Sequence, residues 1–129
     1  DIVRDGTDNF DTRYMVNRAC VIQKVPLVSG ALTQWEGQLS VFDPDQSGPC
    51  YQCVFPEAPK AEISGTCAQV GVFAALPGVI GSLMAGEALK YLLDAGKPLR
   101  GKLAIYNILD AETRVISTKV LADCPICQS

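Results

Sequence analysis

The chain has 129 residues, a formal net charge of −3 and 48% hydrophobic residues. This length predicts a single domain with enough apolar residues for a core, and the mild acidity argues against nucleic-acid binding. Because there is no histidine, Ser–His and Cys–His catalysis are excluded, and a metal must be held by cysteines or carboxylates. The absence of a secretory signal pattern and the core-forming composition predict a cytoplasmic protein with reduced thiols.

The first 49 residues predict a strand, a helix and two further strands. A short strand over 1–5 leads through a turn into an amphipathic helix that ends before Pro26. Its apolar side is predicted to carry Met15, Val16, Ala19, Cys20 and Gln23, with Arg13, Asn17, Arg18 and Lys24 on other sides. Strands follow over 26–31 and 37–44, the second half-buried because Leu39 and Val41 alternate with Gln38 and Ser40. A turn-rich link covers 43–49.

Residues 54–66 are predicted to form a loop, and the uncharged stretch 64–86 is long enough to cross a bilayer. Its glycines, Gln69 and Pro77 favour a buried helix instead. Gly71, Gly78 and Gly81 are then expected to admit a neighbouring backbone, and Pro77 to kink or divide the helix. Gly96 is the predicted C-cap.

The tail predicts an antiparallel hairpin of strands 101–107 and 114–120. The element order is therefore β-α-β-β-loop-α-β-β. This order predicts an α/β fold whose mixed sheet has an antiparallel extension.

Two Cys-x-x-Cys pairs, Cys50/Cys53 and Cys124/Cys127, dominate the chemistry of the sequence. Four thiolates match a tetrahedral zinc site. The alternative is thiol–disulfide redox chemistry at "CPIC", but neither pair precedes a clear helix start. Four sulfurs would complete the coordination of zinc, so the predicted ion is structural rather than catalytic.

Two other residues are candidates for chemistry. Asp8 lies between a strand and a helix, at the sheet edge where α/β proteins bind ligands; it either binds Mg²⁺ or caps the helix. Cys67 precedes the second long helix, where a thiol has a lowered pKa; it is either a nucleophile or a small buried residue. Cys20 is predicted to serve packing.

Five segments together resemble the MoeB/ThiF/HesA family of ubiquitin-activating-like adenylating enzymes. They are "DGTDNFDTRYMVNRAC", "PLVSGALTQWEGQLSVF", "CYQC", "TCAQVGVFAALPGVIGSLMAGEALK" and "CPIC". The resemblance covers essentially the whole chain in order and corresponds to the C-terminal half of a Rossmann-like adenylation domain. "SGALTQWEGQ" and "GKPLRGKL" favour the molybdopterin-synthase-activating (MoeB) branch.

The resemblance implies adenylation, with ATP and Mg²⁺, of the C-terminal Gly-Gly of a small ubiquitin-like sulfur carrier of the MoaD/ThiS type. It further implies that the chain serves molybdenum cofactor biosynthesis. Asp8 matches the family aspartate near Mg²⁺ and the α-phosphate, and Cys67 matches a cysteine that links covalently to the carrier in some members. The zinc ligands implied are Cys50, Cys53, Cys124 and Cys127, and residues 54–66 correspond to the segment over which the carrier tail runs.

The family also implies a homodimer and an N-terminal nucleotide-binding half, but no G-x-G-x-x-G turn occurs in this sequence. Residues 1–129 are therefore expected to be the C-terminal part of one domain and to be inactive alone. Two alternatives stay open: the same reaction on the thiamine-pathway carrier, and a non-catalytic, zinc-clamped module that binds a carrier.

Overall fold

The computed structural model describes residues 1–45, 47–58 and 71–128. Five strands form one sheet in the order β1-β2-β3-β4-β5. They are β1 (Val3–Asp5), β2 (Leu27–Leu32), β3 (Glu36–Phe42), β4 (Lys102–Asn107) and β5 (Glu112–Ser117). The helices in the described residues are α1 (Phe10–Gln23), α2 (Tyr51–Val54) and α3 (Leu76–Leu93).

The sheet is mixed, as the sequence predicts. β1 and β2 are parallel, with Asp5 opposite Ser29, and α1 makes the crossover between them. The remaining neighbours are antiparallel, and β4 and β5 form the terminal hairpin with Ala104 opposite Val115. The predicted α/β class with an antiparallel extension is therefore confirmed.

Helices cover the two faces of the central strands. Val28, Leu39 and Val41 pack against the α3 side chains Leu76, Ile80 and Met84. On the opposite face, Leu27 and Phe42 pack with Cys20 of α1 and Tyr51 of α2. Successive strand residues thus enter two different cores, which places α1 and α2 together on one side of the sheet.

The half-buried character predicted for β3 is wrong at Ser40, which is only 1% exposed. Its hydroxyl donates a hydrogen bond to the Lys102 carbonyl oxygen at 2.6 Å. A polar side chain is tolerated there because its hydrogen bond is satisfied internally. Both faces of β3 are covered, so the alternation of apolar and polar residues did not reveal its burial.

The glycines that let a neighbouring element pack closely lie in the strands and not in α3. A Cβ atom on Gly30 would overlap with Met84 Sδ, and one on Gly37 would overlap with Cγ1 and Cδ1 of Ile80. By contrast, added Cβ atoms on Gly71, Gly78 and Gly81 would meet no heavy atom within 4 Å. The expected close approach at these three glycines is therefore wrong for the described residues, because α3 reaches the sheet through Ile80 and Met84.

Pro77 lies at the start of α3 and not within it, so it does not kink this helix. A shorter helix before it would lie in part outside the described residues, so that part of the prediction stays a prediction. Pro77 occupies the first turn of α3, where the missing N–H costs no intrahelical hydrogen bond. The helix ends at Leu93 with Asp94 as the left-handed C-cap, while the predicted cap, Gly96, also has a positive φ of 63° just beyond it. Among the described residues, no helix combines the length and apolarity needed to cross a membrane.

Candidate metal centre and the Asp8 turn

The four cysteines of the two Cys-x-x-Cys pairs converge in space. All four Sγ atoms lie within 4.8 Å of one another, although the pairs are 74 positions apart in the chain. The Sγ–Sγ distances are 3.9 Å for Cys50–Cys53, 3.7 Å for Cys50–Cys124 and 3.3 Å for Cys53–Cys127. A tetrahedral zinc ion with bonds of about 2.3 Å would separate its sulfurs by about 3.8 Å. The donor set and its spacing therefore fit one four-coordinate metal ion.

Short local structure supports both pairs of the cysteine cluster. Cys50 is the N-cap of α2, which is a one-turn helix, so the expectation that neither pair precedes a helix start is wrong for the first pair. A single turn places Cys50 and Cys53 on the same side. On the second pair, the Cys124 N–H donates to the Leu121 carbonyl, and Ile126 and Leu121 pack against the sulfurs.

Burial and hydrogen bonding shift the pKa values of the cysteine thiols in opposite directions. Burial raises the pKa of Cys50, and it raises the pKa of Cys53 to about 12. Burial also acts to raise the pKa of Cys124, but hydrogen bonds from the backbone of Cys127 and Ile126 outweigh it and lower that pKa to about 7. Thiols that are costly to ionise in an apolar setting become thiolates readily once a cation compensates their charge.

Asn17 of α1 joins the cluster to the first helix. Its side chain is only 1% exposed. Nδ2 donates to Cys50 Sγ at 3.6 Å, and Oδ1 accepts from the Tyr51 N–H at 3.0 Å. The prediction that Arg13 and Asn17 lie away from the buried side of α1 is wrong: the buried residues are Arg13, Asn17 and Cys20, whereas Met15 is 65% exposed. Only the i, i+4, i+7 spacing of these three residues could have indicated that face, and their polarity concealed it.

Asp8 lies beyond the carboxyl end of β1, in the turn that leads to α1. Asn9, and not Asp8, is the N-cap: its Oδ1 accepts from the Thr12 N–H at 2.8 Å. The capping alternative for Asp8 is therefore wrong. The Asp8 side chain is exposed and has no hydrogen bond or ion pair with any other residue of the described ranges. Its carboxylate is available to an external cation or ligand.

Two buried charged residues hold the turn around Asp8 through hydrogen bonds to Thr7. Asp5 Oδ1 accepts from the Thr7 N–H at 2.8 Å. Arg13 donates to the Thr7 carbonyl oxygen from Nε at 3.1 Å and from Nη2 at 2.7 Å. The backbone on the N-terminal side of Asp8 is therefore fixed by side chains of both β1 and α1.

A cavity of about 510 Å³ adjoins the cysteine cluster and does not include Asp8 in its lining. Cys50 and Cys127 line it together with Cys20, Lys24 and Asp43. It offers an approach to two of the four sulfurs. Cys67 and most of the predicted loop 54–66 lie outside the described residues, so their predicted roles stay predictions.

Comparison with known proteins identifies the family. The ThiF family pattern matches residues 1–126, and the chain therefore belongs to the ThiF family. Over 98% of its length the chain is 48% identical to the sulfur carrier protein adenylyltransferase of Thermus thermophilus and 44% identical to the SAMP-activating enzyme E1 of Haloferax volcanii. Over the full length of this chain, it is 42% identical to the adenylyltransferase and sulfurtransferase MOCS3 of Xenopus laevis.

The chain spans about half the length, or less, of these relatives: 48%, 46% and 29% respectively. Among solved structures, E. coli MccB superposes with a TM-score of 0.78 over 98% of this chain and 40% of MccB, at 17% identity. At that identity, the likeness to MccB shows the fold alone.

Proposed function

We propose that this chain is the C-terminal part of an adenylating domain that activates the C-terminal Gly-Gly carboxylate of a small ubiquitin-like sulfur carrier. The observation that carries the proposal is the match of 98% of the chain, at 48% and 44% identity, to relatives named sulfur carrier protein adenylyltransferase and SAMP-activating enzyme E1. A free carboxylate, Asp8, at the carboxyl end of β1 is consistent with it. The carrier we favour is the small-subunit type of molybdopterin synthase, in molybdenum cofactor biosynthesis within the cytoplasm.

Bound ATP would supply the adenylyl group that turns the carrier carboxylate into an acyl donor, with Mg²⁺ offsetting phosphate charge. Within this chain, Asp8 would hold the cation, and the turn from Asp5 to Asn9 would keep its carboxylate at the edge of the sheet. The four cysteines would hold a structural zinc ion that ties the end of β3 to the chain end. The phosphate-binding residues would come from an N-terminal half, and the assembly would be a homodimer.

The proposed activity is tested by carrier-dependent exchange of pyrophosphate into ATP, using the full-length protein. Exchange with a carrier of the molybdopterin-synthase type is the expected result. Stronger exchange with the thiamine-pathway carrier would assign the same reaction to that pathway. Binding of a carrier without exchange would instead support a non-catalytic binding module.

The role of Asp8 is tested by Asp8→Ala. Because a carboxylate beside Mg²⁺ and phosphate contributes electrostatically to the transition state, we expect exchange to fall by about 100-fold or more. Carrier affinity should change little. The matched control is Asp11→Ala, which removes an exposed carboxylate three residues further along. Equal exchange by the Asp8→Ala and Asp11→Ala variants would contradict the proposal.

Cys67 is proposed to form a covalent link to the carrier or its sulfur. A reducible adduct, trapped by quenching without thiols and absent from Cys67→Ala, would support this role. Full sulfur transfer by Cys67→Ala would contradict it.

The proposed zinc site and homodimer each have a direct measurement. Metal analysis should find about one zinc ion per chain, lost on substitution of Cys124 by serine. Sedimentation or light scattering should give twice the chain mass for the full-length protein. A metal-free preparation that keeps full stability, or a monomer at all concentrations, would contradict the respective proposal.

A further inference from the structure

The buried guanidinium of Arg13 donates two hydrogen bonds to a backbone carbonyl oxygen. Arg13 is 9% exposed, its guanidinium carbon lies 5.1 Å from the centre of the Phe10 ring, and two of its nitrogens donate to the Thr7 oxygen. Within the described residues it forms no salt bridge at 4.0 Å or less. Burying a guanidinium without a carboxylate partner is costly. Both of these hydrogen bonds hold the turn, and they offset part of that cost.

The helix that carries Arg13 also contacts the cysteine cluster. Asn17 lies one turn along α1 from Arg13; its Nδ2 donates to Cys50 Sγ at 3.6 Å, and its Oδ1 accepts from the Tyr51 N–H at 3.0 Å. α1 therefore contacts Cys50 through Asn17 and the Thr7 carbonyl oxygen through Arg13.

We infer that Arg13 is a positioning residue that fixes the Asp8 turn on α1, the same helix that contacts the cysteine cluster through Asn17. The inference rests on the proposed function for the role of Asp8 in catalysis. Arg13 itself touches neither substrate nor metal: it acts on the Thr7 carbonyl, one residue before Asp8. A small displacement of a catalytic group is sufficient to lower turnover by about 100-fold.

The first test compares Arg13→Met and Arg13→Lys in the full-length protein, with Arg18→Ala as the matched control on the exposed side of α1. Methionine keeps much of the volume but has no donor, whereas lysine keeps the charge and can donate one hydrogen bond. Turnover in pyrophosphate exchange should fall about 10- to 100-fold for methionine and less for lysine. The carrier KM should stay within about twofold, and Arg18→Ala should match the natural protein.

A change confined to the carrier KM, or equal turnover for the natural, methionine and lysine forms, would overturn the inference. If the natural protein exchanges no pyrophosphate with any carrier, the proposed function fails while the positioning of the turn is still measured by amide hydrogen exchange. The Thr7 and Thr12 amides, which bond to Asp5 and Asn9, should exchange faster in Arg13→Met than in Arg18→Ala. Equal protection in the two variants would refute the positioning role independently of activity.

Discussion

At the residue scale, the side-chain amide of Asn17 forms hydrogen bonds with two buried groups at once. The Tyr51 N–H and the Cys50 sulfur are both buried, and each is hydrogen-bonded by the same side chain. Carboxamides offer a donor and an acceptor together, which no apolar residue at position 17 would supply. Hydrogen bonds to a metal-bound sulfur also orient the ligand and influence metal affinity.

We therefore expect Asn17→Ala to destabilise the protein. Leaving the Tyr51 N–H buried without a partner costs about 1–3 kcal/mol, measurable by denaturant unfolding at fixed zinc concentration. Gln23→Ala, an exposed substitution at the end of the same helix, should change stability by less than about 0.5 kcal/mol. Similar losses for the two variants would contradict the assigned role of Asn17.

The Cys20 thiol should be unreactive toward alkylating reagents in the folded protein. Burial raises the pKa of its thiol above the usual 9.0, and the Asp5 carboxylate raises it further. Since the thiolate is the reactive form, a raised pKa shifts alkylation to higher pH. Mass spectrometry should find Cys20 unmodified by iodoacetamide at neutral pH and modified only in denaturant or well above pH 9. Equal rates in native and unfolded protein would show that the thiol is accessible.

At the scale of elements, the sequence predicted the order of helices and strands well because their signals are local. Pro26 and the apolar runs mark α1, β2 and β3, and turn residues separate β4 from β5. The cysteine cluster was predicted for the same reason, since paired spacing is itself the signal. The buried face of α1 was not, because Arg13 and Asn17 are buried for their hydrogen bonds to Thr7, Tyr51 and Cys50, which only tertiary structure brings near.

The contact of α3 with the sheet gives a prediction for four glycines. Gly37→Ala should cost about 1–3 kcal/mol by overpacking, because the added methyl group meets Ile80 close to its branch point. Gly30→Ala should cost less, since it meets mainly the flexible thioether of Met84. Gly78→Ala and Gly81→Ala have open space and should stabilise α3 by up to about 1 kcal/mol. Thermal or denaturant unfolding measures the change in stability of each of the four variants. Greater losses for the two α3 variants than for the two strand variants would contradict this packing.

At the scale of the whole molecule, the cysteine cluster closes a large loop of chain. It joins residues near the end of β3 to residues beyond β5, across 74 positions. In the chain-entropy treatment of cross-links, closing a loop of this size is worth about 4–5 kcal/mol. That value is comparable to a large part of the roughly 5–15 kcal/mol that stabilises a typical domain.

Removing the metal is therefore expected to lower the free energy of unfolding by several kcal/mol. Denaturant unfolding with and without a chelator measures the loss, and restored stability after adding zinc controls for damage by the chelator. Hydrogen exchange should rise first in the amides of Cys53, Cys124 and Gln128, whose bonds lie within the cluster. Identical unfolding midpoints for the loaded and stripped protein would contradict the assignment of a structural metal.

The separation of the two cysteine pairs also has a kinetic consequence. At the proposed zinc site each pair alone offers only two sulfurs, so tight binding of the ion requires that β3, α3 and the hairpin have first brought residues 50–53 and 124–127 together. Non-local contacts of this kind form late because the entropy of loop closure opposes them. We therefore predict for the proposed zinc site that, during refolding, the rate of zinc uptake follows the completion of the sheet and not the formation of the helices.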